Sequence, residues 1–376
     1  MKKICFVHNF STHYTKTLFE ILSTHHTIKF LFFNKGKTWY WQESLGTQEG
    51  TFDYTYTIPK IFLGIKINFD FIKKIFVMSP DIYISGISGK FEMPFTFFVA
   101  KLKRKPFIIW TGIWVRLDTK FHRFFFPIYK FILKKSDAIV VYGSHVKKYL
   151  ISEGIKPEKI FLANHAIDNS FYNILVPINE IDKIKNVFNI SKESKIILYL
   201  GRLEEIKGVK FLIKALVNLP IDYICIIAGT GSEDENLRNL VSELNLGNRV
   251  IFTGFVPIDQ TRLFYSISNV YVLPSITTKS GKETWGLTIN EALNQSIPII
   301  TTKAVGAAAG GLVKNGFNGL IVNEQCPDEI TKAIEIILNP KNFMNYKKNA
   351  YLSIQNWTQE EMAKGFFEAI EYVCKI

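Results

Sequence analysis

The chain of 376 residues holds only four cysteines, Cys5, Cys225, Cys326 and Cys374, scattered singly with no CxxC and no Cys/His cluster. That spacing argues against a disulfide scaffold and against a structural zinc site, and isolated thiols suit a reducing cytoplasm. No run of 18 uncharged apolar residues occurs, so no membrane-spanning helix is expected. The opening MKKICFVHNF runs from two lysines straight into a strand-like stretch, and no secretory signal is expected. Low-complexity tracts are missing, and 47% of residues are hydrophobic, enough for two packed cores. The length points to two domains.

Acidic residues are scarce in one half. Residues 1–180 carry 25 Lys and Arg against 13 Asp and Glu, and residues 181–376 carry 21 against 20. The first half therefore holds +12 of the net +13. Such a field calls for an acidic partner, although a plain solubility charge would look the same. The basic residues interleave with aromatics in three stretches: Lys60–Lys74, Lys90–Lys105 and Lys120–Lys135 (KFHRFFFPIYKFILKK). Helices of that kind suit an anionic membrane surface, and the alternative is that their apolar positions face the core. The expected partner is that surface, with the protein peripheral on the inner face of the cell membrane. No nucleic-acid motif is present, so nucleic acid is not expected.

What is present is alternation. In the first half KICFVHN, TIKFLFF, DIYISG, PFIIWTG, DAIVVYG and KIFLANH have strand character, and in the second KIILYLG, YICIIAG, RVIFTGF, VYVLP, IPIITT and GLIV do. Helices are expected near 207–219, 233–246, 259–267, 286–295 and 327–338. Strands alternating with helices predict an α/β chain with two doubly wound parallel-sheet domains, and a ligand cleft between them. The predicted boundaries are 1–175 and 176–356, joined by an irregular polar stretch near 168–194. The C-terminal helix 357–376 is expected to complete the first domain.

Three constellations carry chemistry. In KIILYLGRLEEIKGVK a strand ends at Leu200, Gly201 and Arg202 turn, and Lys207 precedes a helix. A guanidinium fork, an ammonium and a helix start form a diphosphate site, though a solvated basic turn would look similar. Gly229 and Gly231 in YICIIAGTGS allow a tight turn or close backbone approach, and Phe255 and Val256 sit in a loop able to flank a base. In KETWGLTINEALN, Glu283 and Glu291 stand on either side of Gly286. Leu287 and Thr288 would open a helix whose amides meet phosphate, and Glu291 on that helix can accept hydrogen bonds from ribose hydroxyls. Either Glu alone is as well explained by a solvated helix face.

The E-x7-E pair around Trp-Gly-Leu resembles family four of the glycosyltransferases (glycosyl transferases group 1), retaining enzymes of the GT-B fold. The GR…KG stretch 81 residues before Glu283, the GTG at 229–231, TGFV at 253–256 and the glycines at 306–319 fall in that family's order. The resemblance implies two Rossmann-like domains, an acceptor domain followed by a donor domain. It implies that Arg202 and Lys207 hold the donor diphosphate and, with Glu283 on the donor sugar, serve catalysis. Glu291 would bind ribose, with Gly201, Gly229, Gly231, Phe255, Val256, Gly286, Leu287 and Thr288 completing the donor site. No Asp-x-Asp metal motif stands in a loop, and a metal-independent enzyme without cofactor is expected.

The first domain departs from the family. Asn9 and His13 lie where a glycine-rich loop is common, and Gly112 stands where many members carry a His. Acceptor contacts are expected from Asn9, His13, Trp114, Arg116 and His122, although a lone His or Trp is as often structural. The expected activity is transfer of a sugar from a UDP- or GDP-sugar to a glycan on a lipid carrier, in cell-surface polysaccharide or O-antigen synthesis. The alternatives are a nucleotide-sugar epimerase of the same fold and an inactive sugar-nucleotide-binding partner subunit.

Overall fold

Short runs of Ile, Val and Phe, each stopped by Gly, Asn or Pro, form the strands of a computed structural model that describes residues 1–35, 49–62, 65–87, 89 and 91–375. The chain divides into two units. One comprises residues 1–114, 118–166 and everything from Gln359 on; the other comprises Val115–Leu117 and Ile167–Thr358.

The first unit opens with β1 (Lys3–His8), α1 (Lys16–His25), β2 (Thr27–Phe32) and β3 (Asp53–Tyr56). A hairpin of β4 (Lys60–Phe62) and β5 (Ile65–Ile67) leads into α2 (Phe69–Val77). There follow β6 (Ile82–Gly86), α3 (Glu92–Leu102), β7 (Phe107–Thr111), α4 (Lys120–Lys135), β8 (Ala138–Val141), α5 (Ser144–Ser152) and β9 (Ile160–Leu162). Its seven strands run parallel in the order β3-β2-β1-β6-β7-β8-β9. The core of this sheet is aromatic: Phe6 stacks on Phe30 at 5.3 Å and meets Phe19 edge-on at 5.5 Å.

The second unit contains α6 (Asn169–Tyr172), α7 (Ile178–Val187), β10 (Lys195–Leu200), α8 (Val209–Ala215), β11 (Tyr223–Ala228), α9 (Asp234–Glu243), β12 (Val250–Gly254), α10 (Ile258–Ser266) and β13 (Val270–Leu273). It continues through α11 (Leu287–Asn294), β14 (Ile299–Thr302), α12 (Gly306–Ala309), β15 (Gly319–Val322), α13 (Pro327–Leu338) and α14 (Pro340–Ile354). The parallel order is β12-β11-β10-β13-β14-β15. The order reverses between β10 and β13, and the loops leaving their carboxyl ends diverge to opposite faces of the sheet.

The chain's last helix, α15 (Gln359–Lys375), packs on α1, β8 and β9 of the first unit. Phe366 reaches Trp110 at 5.4 Å, and the Gln359 amide donates to the Tyr14 carbonyl at 2.6 Å.

Several expectations differ from what folds. The strand β3 and the β4–β5 hairpin carry no strong alternation of apolar residues. The basic stretch Lys60–Lys74 is a hairpin followed by a helix, so it is not one amphipathic helix; its positions 63 and 64, like Lys90 of the second stretch and Ile376, lie outside the described residues. The join near 168–194 holds α6 and α7. Residues 167–175 associate with the second unit through side-chain amides. Asn169 donates to the Ile354 and Trp357 carbonyls and accepts from Asn294 at 2.9 Å, and Gln295 donates to the Ile174 carbonyl. Helix α8 is short, with a 3-10 turn on either side, at Glu205–Lys207 and Leu216–Asn218.

Three histidines of the first unit, His165 buried and His8 and His13 half-buried, are held as neutral rings. Burial lowers His8 and His13 to about 4 and His165 to about 3, below the usual 6.5. Above pH 6.5 folded and unfolded chains hold equal protons on these rings. Below it the unfolded rings gain protons and the buried ones do not, so stability is lost as pH falls from 6.5 towards 4. His165 stacks on Tyr142 at 4.3 Å, a contact phenylalanine can keep. Thermal melting at pH 7 and pH 5 should show a smaller drop for His165→Phe than for the wild type. Parallel drops would contradict the assignment.

Candidate active site

The loops after β10 and β13 bring one cation and one carboxylate together. After Leu200 the chain turns at Gly201, forms the 3-10 turn Glu205–Lys207 and enters α8 through Gly208. After β13 it runs through Pro274–Thr284 to α11. Lys207 Nζ forms an ion pair with Glu283 Oε2, with side chains only 12% and 14% exposed. In so desolvated a setting each charge depends on the other, because a lone buried ion is costly.

Gly286 starts α11 with φ 90°, a left-handed conformation that other residues resist, and a Cβ there would lie 2.8 Å from Leu273. The helix thus begins sharply, with the Leu287 and Thr288 amides in its first turn, where no intrahelical acceptor exists. Their partial positive charge suits an anion. The Glu283 backbone is fixed from behind: its carbonyl accepts from the Gly306 amide at 3.1 Å, and the Trp285 carbonyl accepts from Ala307 at 2.8 Å. Trp285 itself is core. Its indole donates to Asn290 at 2.8 Å and stacks on Trp357 at 5.7 Å.

Sequence patterns did not reveal the tyrosines behind these groups. The Tyr271 hydroxyl lies 3.0 Å from the Leu200 carbonyl and 2.6 Å from Thr288 Oγ1, so it ties the end of β10 to the start of α11. The Tyr199 hydroxyl donates to the Arg202 carbonyl at 2.6 Å, and Tyr265 donates to Glu291 at 2.8 Å. Tyr172 reaches Glu291 as well. Burial raises the pKa of Tyr172, Tyr199 and Tyr271 far above 10, so their hydroxyls remain protonated donors. The available signal was the tyrosine inside two apolar strands, since a buried hydroxyl needs a partner.

The remaining donor candidates fall into two groups. Arg202 pairs with Glu204 on its own loop and is about one-third exposed. Glu291 is 1% exposed. Gly201 and Gly229 meet backbone to backbone, and a Cβ on Gly229 would lie 1.9 Å from the Gly201 carbonyl oxygen. The Gly229 amide donates to the Gly254 carbonyl at 2.8 Å, which links the β10, β11 and β12 ends. Gly231 packs on Leu203, and Phe255 and Val256 are half-buried after β12.

In the first unit, Asn9 and His13 follow β1, the strand beside which that sheet's order also reverses. Asn9 is buried, and His13 packs on Tyr14 at 3.7 Å. Trp114 meets His145 edge-on at 5.0 Å, and Thr119 caps α4, with its hydroxyl 2.6 Å from His122 Nδ1. Arg116 is exposed and falls in the short segment that clusters with the second unit. At Gly112 a Cβ would lie 2.4 Å from the Tyr142 ring, so Tyr142 fills the space a side chain there would need. Among the described residues, no group of three or more His, Cys, Asp or Glu could hold a metal.

Residues 180–353, most of the second unit, match the family model described as Glycosyl transferases group 1. The two parallel-sheet units have the GT-B fold of glycosyltransferases. The crystal structure of Anabaena Alr3699/HepE in complex with UDP superposes with a TM-score of 0.78 at 16% identity, covering 98% of this chain and 99% of that one. An uncharacterized glycosyltransferase of Methanocaldococcus jannaschii is 25% identical over 238 residues, 61% of this chain and 58% of that protein. The lipopolysaccharide core biosynthesis glycosyltransferase LpsE of Rhizobium meliloti is 32% identical over 146 residues, 39% of this chain and 40% of that one. The chain spans between about half and two thirds of the length of the first curated relatives it matches.

The Lys207–Glu283 pair makes a quantitative prediction. Lys207→Ala and Glu283→Ala should each destabilise the protein by leaving its partner uncompensated. The double variant should lose less than the sum of the two, by a coupling on the order of 1–3 kcal/mol. Denaturant melts of all four proteins measure it, and additive losses would contradict the pair.

Proposed function

We propose that the chain transfers a glycosyl group from a nucleoside-diphosphate sugar to an acceptor hydroxyl, with retention at the anomeric carbon and without a metal ion. The observation that carries this reading is the meeting of Lys207, Glu283 and the α11 amino end at the β10/β13 reversal. When the bond from the anomeric carbon to the diphosphate breaks, negative charge gathers on phosphate oxygens. Lys207, Arg202 and the Leu287 and Thr288 amides stabilise that charge in place of a metal. Glu283 holds Lys207 in position and accepts hydrogen bonds from the donor sugar. Glu291, oriented by Tyr265, accepts from the ribose.

The relatives support the finer parts. Four are named for alpha-linked sugars, the configuration that retention gives from an alpha-linked donor. Three are named for lipopolysaccharide core, a diacylglycerol or a phosphatidylinositol mannoside, which favours a lipid-borne acceptor. One is named GDP-mannose-dependent, and structural neighbours were solved with UDP or UDP-glucose, so UDP- and GDP-sugars are the first donors to test.

A thermal-shift screen of UDP-, GDP-, ADP- and CDP-sugars should find one base that raises the melting point. Ligand at a hundred times its Kd adds about 2.7 kcal/mol. Glu291→Gln, which keeps a hydrogen-bonding side chain beside Tyr265, should reduce that shift. No shift with any donor would sink the donor site, and an unchanged shift in the variant would remove Glu291 from the ribose. Activity with the donor so found should survive EDTA, whereas a several-fold loss would reinstate a metal.

A further inference from the structure

We propose that the outer faces of α3 and α4 form a docking surface for an anionic phospholipid bilayer. On α4, Phe124, Ile128 and Phe131 follow the i, i+4, i+7 spacing of one helix face, and Phe124 is 75% exposed. On α3, Phe91, Phe98 and Leu102 form a second exposed stripe, with Leu102 at 60%. The stripes adjoin, since α3 packs on α4 and the Phe97 ring meets Phe131 edge-on at 6.2 Å. The opposite side of α4 is anchored in the unit through buried Ile132 and Leu133. Its outer aromatics are therefore not needed for the core.

Charge identifies the occupant. Residues 69–135 carry 13 Lys and Arg against 4 Asp and Glu, a net of +9, and α4 itself has five basic residues and no acidic one. Two of those five are paired, Arg123 with Asp118 and Lys130 with Glu153. Lys120, Lys134 and Lys135 stand at the two ends of the aromatic stripe. A bilayer with anionic headgroups accepts both features: its acyl boundary takes the aromatics and its phosphates take the lysines. A nucleic acid would leave the apolar stripes facing phosphate. A second copy would oppose one basic face to another. No described helix is long and apolar enough to cross a membrane, so the contact is at the surface. This inference does not rest on the donor chemistry.

The test is flotation of the full chain with phosphatidylcholine vesicles and with vesicles that also contain phosphatidylglycerol. The wild type should float with the mixed vesicles and much less with phosphatidylcholine alone. Lys134→Gln with Lys135→Gln should weaken binding about tenfold or more, at about 1 kcal/mol per lysine. Phe124→Ser with Ile128→Ser should also weaken it while leaving donor-induced thermal stabilisation intact. Equal binding to both vesicle types would overturn the proposal, as would wild-type binding by both pairs of variants. Dimerisation in sedimentation that the Phe124/Ile128 pair abolishes would assign the face to a second copy instead.

Discussion

Lys207 and Glu283 reach one another from loops that follow neighbouring strands, and that reach exists only because the strand order reverses between β10 and β13. In a sheet wound one way, consecutive loops leave on the same face and helices close the gap. At the reversal the loops part, and polar side chains can meet there without a helix above them. Much of the second unit's backbone chemistry serves this point. Gly286 sets the start of α11, the Gly306 amide holds Glu283, and Tyr271 ties β10 to α11. An uncompensated charge at either end of the pair would be costly, so the two loops are fixed together.

The two-unit α/β plan was legible because apolar runs of four to six residues and turn-forming glycines mark strand ends regardless of tertiary context. The backbone of the candidate site was legible for the same reason: the glycine before α11 and the GR…KG turn announce helix starts. The pairing of side chains was not. Arg202 and Lys207 look alike in sequence, yet one turns to Glu204 on its own loop and the other crosses to Glu283. Tyr199, Tyr265 and Tyr271 read as strand or helix filler, and only three-dimensional proximity shows which carbonyl or carboxylate each holds. The attachment of residues 167–175 to the second unit rests on Asn and Gln amides and on Phe171 and Tyr172, which carry no periodic signal.

The first unit follows a different logic. Its core holds stacked phenylalanine rings, and burial keeps the nearby histidines neutral, so acid is expected to destabilise it. Tyr142 occupies the space beside Gly112, so no side chain stands at that position. The Thr119–His122 contact caps α4, the helix whose far side bears exposed phenylalanines.

The central claim is that the Lys207–Glu283 pair forms part of a diphosphate site. Isothermal titration of the wild type and of the Lys207→Met/Glu283→Gln double variant with UDP, UMP, GDP and GMP tests it most directly. The double variant removes both charges, so neither is left unpaired. One diphosphate should bind the wild type about tenfold or more tighter than its monophosphate, a difference of about 1.4 kcal/mol, and the double variant should lose that preference. Equal affinity for mono- and diphosphate in the wild type, or a preference undiminished in the double variant, would contradict the account.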